Sequence, residues 1–439
     1  MTQKIRETYE PVFKRASWSV RLEVLRKAEA NCDRQQILNS LHVENISRKR
    51  SFAPRIAAVQ TASMAILQNT AKRAKPKERF NWIVSDFYRR LKSWKLEWQA
   101  KITGRGYYCT ALHGESEYNI TINSDRTVSC NCQDYDGSGH IGDLRKNSFE
   151  EIFHGSVAQK LRDDLAKGVM PIPTCVRCGD LKRLARGQKP PPIKLPQRGM
   201  LLENTVRCNV DCTGCARETA AGLRVDKQLN MALSDMEQMG DLMSKLGMKQ
   251  IFYLNLGEPF LSPTIYQELP MLRKKNPDCR IVTSTNGILL NTDAKREAAL
   301  NFSHIFFSVH GITDEMSEKY MHRGNFTKAY EAMQAMAEFR NARGLTQPIL
   351  EWKYLLFNWN DHPRHIERAI ELARAAKLDF ISFWPTNNPF YGISWRWRLG
   401  QFKNVGVASW KGREVDLRPE GQRGTPTHPY LAAVATATV

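Results

Sequence analysis

The first hundred residues contain no glycine, although 26 glycines are spread over the rest of the 439-residue chain. That absence leaves helix as the reading for this region, with breaks near Pro11, Pro54 and Pro76. No run approaches the roughly 18 apolar residues of a membrane span. The opening MTQKIRETYEPVFK is too charged for a secretory signal, so the chain is expected to stay in a reducing cytoplasm. With 42% hydrophobic and 25% charged residues it is neither disordered, collagenous nor a small disulfide-stapled chain. Acidic residues are also short, 45 Asp and Glu against 65 Lys and Arg, for a net charge of +20. The excess is local: residues 1–100 carry +12, residues 386–439 carry +4, and the long middle only +4.

The pattern divides the chain into a basic helical region (1–103), a small cysteine-bearing α+β segment (104–185), a Pro/Lys linker (186–198), a long alternating region (199–385) and a C-terminal extension (386–439) whose last fifteen or so residues are expected to be mobile. In the first region, Arg79 to Lys101 interleaves Trp82, Phe87, Tyr88, Trp94 and Trp98 with Arg89, Arg90, Lys92 and Lys95. Such a stretch suits RNA, an anionic lipid or an acidic glycan. The favoured expectation is plainer, a basic amphipathic helix packing its aromatics on the next domain. The second region offers strands in YNITIN and TVSCNC and one helix from Ser148 to Lys167. The fourth alternates six strand candidates, MLLENTVR, QIFYLNL, RIVTST, HIFFSV, ILEWKYLLF and DFISFW, with five helical stretches. That alternation predicts a parallel sheet, and strands this apolar predict an α/β partial (βα)6 TIM-like barrel.

The ten cysteines carry the most specific signal. Cys208, Cys212 and Cys215 follow the first strand of the alternating region, in TVRCNVDCTGC. Chance would place cysteine at three prescribed positions about 0.005 times in a chain of this composition, so coincidence is a poor explanation. Three thiolates can hold three irons of a cubane cluster and leave the fourth iron open. The alternative is a structural zinc site that borrows a fourth ligand. A second group comprises Cys109, Cys130, Cys132, Cys175 and Cys178, where thiolate spacing alone does not separate iron–sulfur from zinc. Cys279, at the start of a strand, reads as core, and Cys32 as an ordinary residue.

CxxxCxxC after the first strand of a six-fold αβ repeat resembles the radical S-adenosylmethionine (radical SAM) superfamily. The resemblance implies a 4Fe–4S cluster on Cys208, Cys212 and Cys215 whose open iron is chelated by the amino and carboxylate groups of SAM, and radical initiation through a 5′-deoxyadenosyl radical. Asn255, Leu256, Gly257, Glu258 and Pro259 stand where that family has a GGEP segment that receives the SAM amino group, with Leu256 departing from the first glycine. Thr285, Asn286 and Gly287 match its TNG turn. Ser308, in FFSVHG, is similar to the Ser of SxDG, and with Arg323 in MHRGNF it is expected to hold the SAM carboxylate. His310 replaces the acidic residue of that motif and is expected on the substrate side. The second cysteine group, with DRTVSCNCQDYDGSGHIGDL and SFEEIF, resembles the SPASM or twitch auxiliary iron–sulfur domain, here placed N-terminal to the barrel. It implies one auxiliary 4Fe–4S cluster on Cys109, Cys175, Cys178 and one of Cys130 and Cys132.

The resemblance implies an oxidoreductase or modifying enzyme acting on a peptide or carbohydrate, fed by a small electron donor such as a flavodoxin or ferredoxin. Two alternatives stand beside it: an enzyme of the same class that holds RNA with its basic N-terminal helices, and a non-enzymatic zinc protein with a degenerate barrel. Nucleic acid is not favoured, because the excess charge lies on helices with no recognisable RNA-binding module.

Overall fold

The computed structural model describes residues 76–402, apart from 133 and 135, and residues 413–419. The chain divides into two compact units, Met1–Ala58 and Val59–Val439. The first unit lies outside the described residues, as do the breaks expected near Pro11 and Pro54 and the C-terminal tail.

Helix α1, Pro76–Thr103, starts on a proline, which loses no hydrogen bond in a first turn. Its inner face is Arg89, Leu96 and Ala100, while Phe87, Tyr88, Trp94 and Trp98 face solvent. The expectation that the aromatics pack on the next domain is therefore corrected. The reason is closeness: Ala100 lies against Gly168, and the Met170 amide donates to Glu97 Oε1 at 2.9 Å. Ala100 fits at that closest point, Arg89 and Leu96 fill the rest of the seat, and Phe87, Trp94 and Trp98 fall on the other side of the helix.

The cysteine-bearing segment follows. Strands β1 (Tyr107–Cys109) and β5 (Leu181–Arg183) pair antiparallel, and β2 (Thr121–Ile122), β3 (Thr127–Ser129) and β4 (His140–Asp143) form a meander. The single helix expected over Ser148–Lys167 is two, α2 (Phe149–His154) and α3 (Ser156–Ala166), because Gly155 is extended at φ −67°, ψ 166°. A Ser148–Glu151 capping box starts the first. A 3-10 turn, Pro173–Arg177, carries Cys175.

The alternating region supplies β6 (Met200–Leu202), β7 (Asp211–Cys212), α4 (Arg217–Leu223), α5 (Leu233–Leu246), β8 (Gln250–Phe252), α6 (Ile265–Lys275), β9 (Arg280–Thr285), α7 (Asp293–Ala299), β10 (His304–Ser308), α8 (Asp314–Glu318), β11 (Met321–His322), α9 (Phe326–Asn341), β12 (Ile349–Leu356), α10 (Pro363–Ala375) and β13 (Phe380–Pro385). Strands β6, β8, β9, β10, β12 and β13 lie side by side and parallel. One face of this sheet, with Ile251, Ile281, Ile305, Phe307, Trp352 and Ile381, packs on helix residues such as Met236, Met243, Leu269, Met333 and Ala369. The other face buries a separate small cluster of Leu201, Phe252, Val282 and Phe306. The architecture is α/β and TIM-like.

Two features extend the sheet beyond the expected strands. After α11 (Trp395–Arg398), β14 (Arg413–Asp416) adds antiparallel to β13. At the opposite edge β2 pairs parallel with β6, with Thr121 opposite Leu201, so the meander and the alternating region share one ten-stranded sheet. A buried ion pair bolts that join: Arg224 donates to Glu203 at 2.9 and 3.0 Å and to Asn123 at 3.0 Å, and Glu203 also accepts from the Ser124 amide and from Asn255.

Candidate functional site

Parallel strands place their following loops at one end of the sheet, and there the first thiol group lies. The loop after β6 carries Cys208, Cys212 and Cys215. It is strapped down by β7 pairing with β11, by the Thr213 amide donating to Tyr320 O at 2.8 Å, and by a Thr213–His322 side-chain bond at 3.0 Å. Between Cys212 and Cys215 the chain turns at Gly214, whose φ of +84° and contact with Asn388 admit no side chain. Burial is the main force raising the three thiol pKa values, with Cys208 reaching about 11, and neighbouring thiols add to it at Cys208 and Cys212.

Glu258 and Asn286 meet this loop. The Glu258 amide donates to Arg207 O at 2.8 Å, beside Cys208. Its buried carboxylate accepts from Thr285 Oγ1 at 2.7 Å, the Asn286 amide at 2.8 Å and the Phe260 amide at 3.3 Å. Burial raises its pKa, against these bonds, which lower it. Asn286 Nδ2 donates to Asn209 Oδ1 at 2.8 Å and stands 4.0 Å from Cys208 Sγ. Gly257 backs directly onto the Thr205 carbonyl, where a Cβ would stand 2.0 Å from the oxygen. Strand pairing stops at Phe252, so Asn255 to Glu258 form a loop where the sequence reads as strand.

Ser308 ends β10 and shares a 2.7 Å hydrogen bond with Ser284. Arg323 follows β11 at φ 65°, exposed, and is carried by that strand next to the cysteine loop. His310 is buried between Tyr320 and Phe357, ring centroids 5.5 and 6.4 Å away, and its Nδ1 accepts from the Leu355 amide at 3.2 Å. Burial, and then the Lys353 charge, push its pKa down to about 3, so the imidazole is neutral.

Several groups here had no motif to announce them. Asn209 and Tyr320 join the cysteine loop to its neighbours through long-range contacts that no local pattern encodes. Lys353 lies opposite Ser308 in the sheet register, with its ammonium 5.0 Å from the Trp384 ring centre and its pKa lowered by burial. Nearer the start of the strands, Arg280 donates to His304 Nδ1 at 3.1 Å, which leaves Nε2–H to bond Glu351 at 3.0 Å.

The second thiol group lies toward the other end of the strands, because Asn119 and Tyr118 precede β2, which runs parallel to β6. Cys109, Cys130, Cys175 and Cys178 line one cavity whose remaining wall is mostly apolar, with Leu112, Leu161, Leu165 and Ile172. Cys132 does not line it: this thiol packs, as Tyr118 and Leu254 do, against the small cluster of Leu201, Phe252, Val282 and Phe306, and burial, then the Cys178 charge, raise its pKa to about 12. Two amide groups aim at the cavity sulfurs, Asn119 Nδ2 at Cys178 and Asn131 Nδ2 at Cys130, both at 3.6 Å. Burial pushes all four thiols up, Cys175 to about 12 and Cys178 to about 11. An all-thiol donor set with N–H groups directed at sulfur fits an iron–sulfur cluster. Among the described residues no three His, Cys, Asp or Glu groups converge on a single-ion site.

Cys279 is buried in the core, as expected. No helix among the described residues is long and apolar enough to cross a membrane.

Comparison with known proteins falls on the same two groups. The radical SAM superfamily model matches residues 202–346, and the SPASM iron–sulfur cluster-binding domain model matches residues 109–179. The mycofactocin maturase MftC of Mycobacterium tuberculosis is 28% identical over 138 residues, covering 31% of this chain and 33% of that protein. A GTP 3′,8-cyclase of Syntrophomonas wolfei is 27% identical over 194 residues, covering 43% and 56%. The match thus spans about a third of the maturase and little more than half of the cyclase. Among solved structures, Streptococcus suis SuiB bound to S-adenosylmethionine aligns with a TM-score of 0.34 at 14% identity, over 43% of this chain and 38% of that one. The cofactors these domains imply are SAM and a 4Fe–4S cluster, with an auxiliary cluster added by the SPASM domain. Each family model thus rests on its own group of thiols, and the chain carries a radical SAM domain and a SPASM domain.

Proposed function

We propose that the chain modifies a peptide, or failing that a carbohydrate, by hydrogen-atom abstraction above the C-terminal ends of a (βα)6 partial barrel, with its auxiliary domain placed N-terminal to that barrel. Cys208, Cys212 and Cys215 would hold the cluster, which when bound would supply the electron for reductive cleavage of SAM and so the means of hydrogen-atom abstraction. The observation that carries this reading is the meeting of the loop bearing Cys208, Cys212 and Cys215 with Glu258 and Asn286, the Glu258 amide on Arg207 O and the Asn286 amide group on Asn209 beside Cys208.

The chain's own groups have separable tasks. Glu258 uses three of its lone pairs within the protein and has one left for an ammonium donor. Ser308 and Arg323 hold a carboxylate, with Ser284 orienting the Ser308 hydroxyl. Neutral His310, Tyr320 and Phe357 form an aromatic wall, and Lys353 with Trp384 adds a cation beside it. That wall excludes water from a reactive radical. Cys109, Cys130, Cys175 and Cys178 are the proposed auxiliary ligands, with Cys132 left out. The peptide reading is supported by the SPASM match and the maturase likeness. The iron–sulfur reading is favoured over the zinc and RNA alternatives by both domain matches.

Anaerobic reconstitution tests it: about eight irons per chain are expected, two cubanes' worth. SAM should alter the spectrum of one cluster only. A colourless protein holding zinc would overturn the reading.

A further inference from the structure

Helix α1 is amphipathic twice over. Arg89, Leu96 and Ala100 make the face that seats it, and Phe87, Leu91, Trp94, Trp98 and Ile102 repeat at spacings of four, three, four and four residues on the opposite face. These five are 67%, 52%, 62%, 52% and 62% exposed, where an ordinary surface helix shows charged residues. The stripe runs about 22 Å along the helix. Arg90 and Lys101 border it on one side and Lys95 on the other. Asp86 is engaged by Arg89 and Arg90, and Glu97 by the Met170 amide, so the rim offers positive charge.

The seat is as informative as the stripe. The underside of α1 rests on the turn that carries Cys175, with the Arg177 guanidinium 5.3 Å from the Tyr88 ring centre. A protein resting on the stripe therefore stands about one helix diameter, ~10–12 Å, from the turn between Cys175 and Cys178. An apolar centre with a positive rim, set over a cluster-binding turn, selects an acidic partner that exchanges electrons.

We propose that the outer face of α1 is the docking surface for an acidic one-electron carrier protein, a flavodoxin-like or ferredoxin-like partner, which passes one electron from its reduced cofactor to the auxiliary cluster. The claim rests on the auxiliary-cluster reading above. Lipid or RNA would use the same charge but would gain nothing from the cysteine turn beneath.

The test uses the full chain with Cys208→Ser, Cys212→Ser and Cys215→Ser, which leaves the auxiliary cluster alone, and an acidic flavodoxin in its two-electron-reduced form as the probe. Stopped-flow bleaching of the cluster absorbance should be fast and should slow steeply with salt. Adding Arg90→Glu, Lys95→Glu and Lys101→Glu should slow it by about tenfold or more at low salt, while dithionite bleaches both proteins alike. Carbodiimide should cross-link flavodoxin carboxylates to Lys92, Lys95 or Lys101. Equal flavodoxin rates in the two proteins would overturn the docking claim. So would cross-links running only to carboxylates of residues 1–75, or binding to phosphatidylglycerol vesicles or RNA with none to flavodoxin. A protein with nothing for dithionite to bleach would instead sink the auxiliary cluster itself, and the docking claim with it.

Discussion

Cys130 and Cys132 are two residues apart, and the structure packs them in different surroundings. Cys130 lines the cavity with Cys109, Cys175 and Cys178, while Cys132 packs beside Tyr118 and Leu254. Cys130→Ala removes one of four thiols and the sulfur that Asn131 addresses. A cubane left with three protein ligands on the auxiliary side is expected to be lost or labile, taking iron from about eight to about four per chain. Cys132→Ala deletes one half-buried sulfur, a packing loss of about 1 kcal/mol, and should leave about eight irons. Iron and sulfide analysis of both variants, reconstituted anaerobically side by side, gives the comparison, and electron paramagnetic resonance of the reduced proteins shows which cluster remains. Loss of four irons from Cys132→Ala, with Cys130→Ala intact, would refute the assignment.

Three further outcomes follow from the geometry. Burial holds the cavity thiols protonated, so above pH 9.0, the ordinary thiol value, the unfolded chain sheds protons that the folded apoprotein keeps. The unfolded state then binds fewer protons, and apoprotein stability should fall by about 1.4 kcal/mol per pH unit for each such thiol. The cluster-loaded protein, its thiolates already formed, should show a shallower loss in anaerobic urea titrations, and parallel curves would contradict the account. Arg224→Met should cost about 3–5 kcal/mol by stranding the buried Glu203 carboxylate, with Glu203→Gln added in the same chain restoring most of it. A loss below about 1 kcal/mol would show that the pair does not bolt the hairpin to the sheet. Gly214→Ala must adopt a left-handed φ against Asn388, so it should lower iron at the Cys208 loop while the auxiliary iron stays, and an unchanged iron content would count against that turn.

The parallel strands and their helices were legible because each is local: the apolar runs at 280–285 and 304–308 and the helix over 233–246 carry their own periodicity. The Cys208, Cys212 and Cys215 loop was legible for the same reason. Long-range pairings were not. Nothing local links Asp211–Cys212 to Met321–His322, or Thr121–Ile122 to Met200–Leu202, and β14 joins the edge from beyond a long connection. Period-two alternation would put Cys130 and Cys132 on one face, but β3 ends at Ser129, so neither thiol is held in strand geometry and the alternation does not reach them. Helix α1 misled because its hydrophobic stripe is real but faces outward, and the seating face is the one marked by Ala100.

The central claim is that the Cys208, Cys212 and Cys215 loop, with Glu258 and Asn286 beside it, cleaves SAM reductively. Incubation of the reconstituted chain with SAM and dithionite, followed by chromatographic quantitation of 5′-deoxyadenosine, addresses it directly. Wild-type protein should form 5′-deoxyadenosine, and Cys212→Ala, which keeps the auxiliary iron, should form none. No 5′-deoxyadenosine from a wild-type protein carrying both clusters would contradict the account.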